Sequence, residues 1–125
     1  MIESNLKAKL IYYVKIMKII RKKSEKSLID QFIRDFKKDY LRKKKQKKRL
    51  SFVLTGGKSP IKLYRKLAQI NIDWNIIDFF WGDERYVSHQ SKNSNFKLAY
   101  NEFIRKIKID KKNIFLIKTN KSISK

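Results

Sequence analysis

Three short apolar, β-prone runs alternate with helix-length stretches along this chain, and that alternation restricts the fold more than any other feature. Leu50-Ser51-Phe52-Val53-Leu54, residues 76–81 and Ile114-Phe115-Leu116-Ile117 are too short for helices and rich in residues that suit a pleated surface. Gly56-Gly57 breaks the first run. Pro60 then stands at a first helical position with Ser59 as its cap, and Ile61, Tyr64, Leu67 and Ala68 supply an inner helical face. Ser94 opens a further helix through Phe96, Leu98, Ala99, Phe103 and Ile107. Upstream, Ser24 is an N-cap with Glu25 in the first turn, and Leu28, Phe32, Phe36 and Tyr40 recur every four residues to about residue 46. Strand–helix alternation of this kind predicts βαβ units, hence an α/β, Rossmann-like parallel sheet flanked by helices. Residues 4–22 fit two readings: Leu6, Leu10, Val14, Met17 and Ile20 have helical spacing, while Ile11-Tyr12-Tyr13-Val14 is β-prone. The expected organisation is an N-terminal segment 1–23 of open structure, one folded unit over 24–119, and a polar, frayed tail over 120–125.

With 125 residues the chain has room for one small domain. It has no cysteine and one histidine, His89, which excludes disulfides, cysteine zinc sites and multi-histidine metal centres, so no metal site is expected. The apolar stretch 10–20 is interrupted by Lys15 and Lys18, lacks a small-residue cleavage site and is too short to cross a bilayer. A cytoplasmic protein without a membrane partner is the expectation. The net charge of +22 resembles a phosphate-binding footprint. The lysines, however, are spread along the chain, and only residues 42–49 form a block. That block falls at a helix C-terminus, where cations offset the macrodipole. Nucleic-acid binding is therefore the lesser reading.

Two loops carry chemistry. LTGGKSP, residues 54–60, has the logic of an anion cradle: Gly56 and Gly57 let the backbone approach a ligand, Lys58 adds charge, and Thr55 or Ser59 a hydroxyl. The spacing is not that of a nucleoside-triphosphate loop, and a Gly-Gly turn by itself is more often a plain connection. The second loop follows the run ending in Trp81. Gly82 stops that run, and Asp83, Glu84 and Arg85 fall where ligands sit in open α/β sheets, beyond the carboxyl ends of strands. Arg85 can grip a phosphate or carboxylate with two parallel hydrogen bonds. Asp83 suits orientation of a catalytic group or a bond to a sugar hydroxyl, whereas Glu84 fits a structural role equally well. Phe80 and Trp81 read as core, and His89 as an exposed loop residue.

Together these loops make the sequence resemble 6-phosphogluconolactonases, within the sugar-phosphate isomerase/deaminase-like group of α/β folds. The resemblance rests on Leu54-Thr55-Gly56-Gly57-Lys58-Ser59-Pro60 with Tyr64 and Leu67, then Ile72-Asp73-Trp74, then Phe79 to Arg85 with Val87, and finally Ser94-Asn95 with Ala99. It spans about residues 24–119, the N-terminal half of the family pattern, so the fold is expected to be incomplete. Related amino-sugar phosphate deaminases carry Tyr where Arg85 stands. The implied reaction is hydrolysis of 6-phosphoglucono-δ-lactone, a phosphorylated sugar lactone, in the oxidative pentose phosphate route, with no cofactor. The resemblance implies that Asp83 and Arg85 belong to the catalytic apparatus, and that Gly56, Gly57, Lys58, Ser59, Arg85 and Asn95 bind substrate.

Three departures from the pattern matter. Lys58 replaces a small hydroxyl residue, Ser88 replaces a proline, and the G-x-D-G-H segment with the family's catalytic histidine is not among these residues; His89 is not its counterpart. The resulting expectation is a truncated lactonase deficient in activity. The alternative is an inactive half-domain that docks onto a partner, including a separately encoded second half.

Overall fold

A computed structural model describes residues 3–9 and 18–121. Residues 3–9 are helical and exposed, while the β-prone stretch that made the N-terminal reading ambiguous lies outside the described residues. The first long helix, α1, runs Glu25–Lys45 and starts as expected at Ser24, whose hydroxyl accepts from the Ser27 N–H while the Ser27 side chain answers the Ser24 N–H. Serine thus fills the place that Glu or Gln usually takes in a capping box. Arg42, Lys43, Lys44 and Lys45 form the last turn, so the basic block sits at the negative end of the helix dipole.

Three parallel strands follow, β1 (Leu50–Leu54), β2 (Ile77–Trp81) and β3 (Ile114–Phe115), in the order β1-β2-β3. Helix α2 (Ile61–Leu67) connects β1 to β2, and α3 (Asn95–Glu102) lies between β2 and β3. Parallel pairing demands such crossovers, because a tight turn cannot return a chain to the same direction. The register sets Phe52 beside Phe79 and Leu54 beside Trp81, and Phe79 beside Ile114. Alternation then sends Phe52, Leu54, Ile77, Phe79 and Trp81 to one face, where the helices bury them. Phe79 meets Phe52, Trp74 and Phe103 at ring-centroid distances of 5.8, 6.1 and 5.5 Å. Burying a side chain of this size contributes roughly 2–3 kcal/mol, so this aromatic cluster anchors the helices to the sheet. The opposite face leaves Val53 62% and Phe115 46% exposed.

Several boundaries differ from the sequence expectation. Ser59 does not cap α2: Pro60 itself is the residue before the helix, in right-handed helical geometry, and no side chain caps this end. The proline ring lacks an N–H to satisfy, which removes one demand for a cap. The α3 region was expected to stay helical to Ile107, but the α-helix ends at Glu102 and a tight 3-10 turn, Ile104–Lys106, follows. That turn swings Phe103 and Ile104 into the core. The third strand pairs only over its first two residues. Of the tail expected to fray, residues 122–125 lie outside the described residues, while the stretch leading into it, 117–121, is bonded to the loop after β2. Thr119 Oγ1 donates to the Val87 carbonyl at 2.7 Å, His89 Nε2 donates to Ile117 O at 2.9 Å, and the Tyr86 hydroxyl donates to Lys121 O. Thr119 satisfies a loop carbonyl, while the loop's own His89 and Tyr86 side chains answer two carbonyls of this segment.

Arg49, just before β1, ties the other end of the sheet. Its guanidinium donates to both Asp78 carboxylate oxygens (2.8 and 2.6 Å), to Asn75 O and to Asn113 Oδ1. Sequence reading gave it no role, since one arginine in a lysine-rich run carries no local signal.

Candidate substrate-binding site

The carboxyl ends of β1 and β2 deliver the Gly-Gly loop and the Gly-Asp-Glu-Arg loop to one edge of the sheet, and the start of α3 meets both. Tyr64 fixes the first loop from below. Its buried hydroxyl accepts from the Thr55 N–H at 2.8 Å and donates to the Thr55 carbonyl at 2.6 Å. Burial pushes this phenol above its ordinary value, only partly offset by the bond from Thr55.

Both glycines have a physical reason. Gly57 has φ +83°, the left-handed region that favours glycine. Gly56 is required by crowding: a Cβ there would lie 1.9 Å from Asn95 Oδ1 and 2.4 Å from its Cγ. The space next to Gly56 therefore holds the Asn95 side chain, which is 7% exposed. Asn95 Nδ2 donates in turn to the Asp83 carbonyl and carboxylate at 3.2 and 3.3 Å. One amide thus joins the β1 loop to the β2 loop.

Glu84 completes the joint. Its Oε1 accepts from the Asn95 N–H (2.6 Å) and from the Arg85 N–H (2.8 Å), and its Oε2 from the Phe96 N–H (2.9 Å) and the Ser94 hydroxyl (2.9 Å). The α3 N-terminus has no acidic residue in its own first turn, so Glu84 supplies the negative charge that end attracts. Partial burial alone would raise its pKa. The donors from Phe96, Asn95, Arg85 and Ser94 outweigh burial and hold the carboxyl below its usual value. Glu84 is consequently a fastener, the structural side of the two roles its sequence allowed.

This joint frames a cavity of about 570 Å³ lined by Gly57, Lys58, Arg85, Lys92 and Asn95 among others. Of the residues expected to bind substrate, Gly57, Lys58, Arg85 and Asn95 line it, whereas Gly56 and Ser59 do not. Asp83 is off the lining too, exposed and held by Asn95. Lys92 was missed, because a lysine in a chain with 33 basic residues has no distinguishing sequence signal. No acidic side chain lines this cavity. The side chains of Lys58, Arg85 and Lys92 have no ion-pair or hydrogen-bond partner among the described residues, whereas Arg49, Arg65 and Lys62 each pair with a carboxylate. Three free cations around one concave surface suit an anionic ligand of sugar size. His89 is away from the cavity, its ring against Phe96 and its Nε2 on Ile117 O. No cluster of metal-ligating side chains occurs among the described residues, nor any helix long and apolar enough to cross a membrane.

Known proteins share this architecture. The 6-phosphogluconolactonase of Thermotoga maritima is 38% identical over 80 residues, covering 64% of this chain and 36% of that protein. The Nostoc sp. 6-phosphogluconolactonase is 37% identical over 75 residues, covering 60% and 31%. The chain therefore spans about a third of the length of these relatives. A crystal structure of the Thermotoga maritima enzyme superposes with a TM-score of 0.69 at 31% identity, over 75% of this chain and 43% of that one. The 6-phosphogluconolactonase from Trypanosoma cruzi gives 0.67 at 26% identity, over 78% and 37%. The model for glucosamine-6-phosphate isomerases/6-phosphogluconolactonase matches residues 23–125, and the chain belongs to that family.

Proposed function

We propose that this chain forms the substrate-binding part of a 6-phosphogluconolactonase, acting on 6-phosphoglucono-δ-lactone. The observation that carries the reading is the cavity with Lys58, Arg85 and Lys92 unpaired and no acid on its lining. Relatives bearing this enzyme name support the choice of ligand. In the reaction a water oxygen adds to the lactone carbonyl, the ring C–O bond breaks, and the released ring oxygen takes up a proton. A base must remove the water proton, and donors must steady the oxyanion that forms. Arg85 grips the anionic substrate, Lys58 adds a second charge beside Gly57, and Asp83, held by Asn95, orients the catalytic group. His89 is not the base, since it does not line the cavity and its ring packs against Phe96 with Nε2 on Ile117 O. The base is then a histidine that these 125 residues do not supply. Such an enzyme works in the cytoplasm.

The test is direct. The purified 125-residue chain binds 6-phosphogluconate in calorimetry and does not accelerate lactone opening above the spontaneous rate. Equal binding of 6-phosphogluconate and unphosphorylated gluconate overturns the substrate assignment. Lactone hydrolysis well above background overturns the claim that the base lies elsewhere.

A further inference from the structure

Lys92 belongs to no motif of this family resemblance, yet it lines the same cavity as Lys58 and Arg85. Lys58 likewise stands where a small hydroxyl residue was expected. The three side chains come from two connections: Lys58 from the loop after β1, and Arg85 and Lys92 from opposite ends of the one between β2 and α3. Each is exposed, and none is paired with a carboxylate among the described residues. The acids of the adjoining loop are committed elsewhere. Glu84 is spent on four donors, and Asp83 is held by Asn95. No acidic side chain lines the cavity, so an anionic ligand meets these cations unpaired.

The number of free cations then has a consequence for which ligand fits best. A closed sugar phosphate carries only its phosphate, close to two negative charges at neutral pH. The opened sugar acid carries a carboxylate as well, so it alone matches three cations with three negative charges. Charges interact more strongly beside a protein wall than in bulk water.

We propose that Lys92 is a specificity-determining residue that, with Lys58 and Arg85, makes this cavity read ligand charge, so that it holds the opened phospho-sugar acid more tightly than a closed sugar phosphate. The inference rests on the substrate reading above and deepens it: the site retains its own product. The product's release is then the step most sensitive to salt, because a trianion on three lysine and arginine groups loses attraction steeply as the Debye length shortens.

Calorimetry on the 125-residue chain tests this with three probes: 6-phosphogluconate, glucose 6-phosphate and gluconate. Lys92→Gln is compared with Lys38→Gln, an exposed lysine of α1 away from the cavity that changes the total charge equally. Expected is the affinity order 6-phosphogluconate, glucose 6-phosphate, gluconate. Lys92→Gln should weaken 6-phosphogluconate about tenfold, roughly 1.4 kcal/mol, and glucose 6-phosphate less, while Lys38→Gln changes neither by more than about twofold. If wild type follows the order but the two variants behave alike, overall charge and not Lys92 sets affinity, and this inference fails while the substrate reading stands. If glucose 6-phosphate binds as tightly as the acid, charge reading is overturned. If all three ligands bind alike, the substrate reading falls with it.

Discussion

Replacing Gly56 by alanine attacks the joint between the two loops through sterics alone. The added Cβ would sit 1.9 Å from Asn95 Oδ1, where normal contact needs more than 3 Å. Gly56 does not have the positive φ of Gly57, so backbone strain is not the issue. The methyl can be housed only if Asn95 swings away, and Asn95 is nearly buried with both Nδ2 bonds going to Asp83. Losing those two bonds costs about 1–3 kcal/mol, and residual overpacking adds about 1–3 kcal/mol. The expected loss is thus roughly 2–6 kcal/mol, against about 1 kcal/mol for Gly57→Ala, which meets open space and suffers only from its φ of +83°. Urea unfolding followed by circular dichroism measures both. The decisive control is Asn95→Ala, which removes the atoms in the way. In that background Gly56→Ala should cost less than about 1 kcal/mol, giving a coupling of some 2 kcal/mol in a double-mutant cycle. If the two costs simply add, Asn95 does not occupy the space next to Gly56, and the reason given for the Gly-Gly pair is wrong.

Other substitutions probe the same scaffold. Glu84→Gln should destabilise the chain by about 2 kcal/mol at pH 7, since bonds to a charged acceptor exceed those to an amide. Because hydrogen bonds lower this carboxyl below its ordinary value of 4.5, its contribution is complete above that value and fades as pH falls through the lower folded value. The difference between wild type and variant should therefore shrink in urea titrations from pH 5 towards pH 3, and a constant difference would refute the assignment. Tyr64→Phe leaves the Thr55 N–H and carbonyl without their 2.8 and 2.6 Å partners. It should cost about 1–3 kcal/mol and speed amide exchange at Thr55 more than in α1, and unchanged exchange at Thr55 would count against it.

Most of the scaffold was legible because it depends on period and punctuation. The four-residue recurrence of Phe32, Phe36 and Tyr40 needs only a helix, and Ser24 needs only its neighbours three residues on. Phe79 and Phe52 read as strand residues whatever lay across from them. Errors gathered where a local cue met a tertiary demand. Ser59 looked like a cap, but Pro60 ended the need for one. The α3 pattern looked helical to Ile107, but placing Phe103 and Ile104 in the core required a tighter turn after Glu102. The bonds of residues 117–121 were not legible because their partners, Tyr86, Val87 and His89, lie some thirty residues earlier in the chain.

The site divides along the same line. Gly57 and Arg85 announce themselves, one by backbone freedom and the other by its place after a strand. The function of Glu84 was hidden because its four donors include three from residues 94–96. One signal could have found it: Ser94 begins a helix whose first turn holds no acid, and a helix start with an unanswered dipole invites a carboxylate from elsewhere. Glu84 lies between two residues expected to do chemistry, Asp83 and Arg85, so the carboxylate that answers the helix also sets where its neighbours stand. Asn95 works the same way from the other side, filling the room Gly56 leaves and holding Asp83. The cavity's cations are unpaired among the described residues while the neighbouring acids are engaged in building the loop. A change at Glu84 or Asn95 should reach the ligand through Arg85 and Asp83 even though Glu84 does not line the cavity.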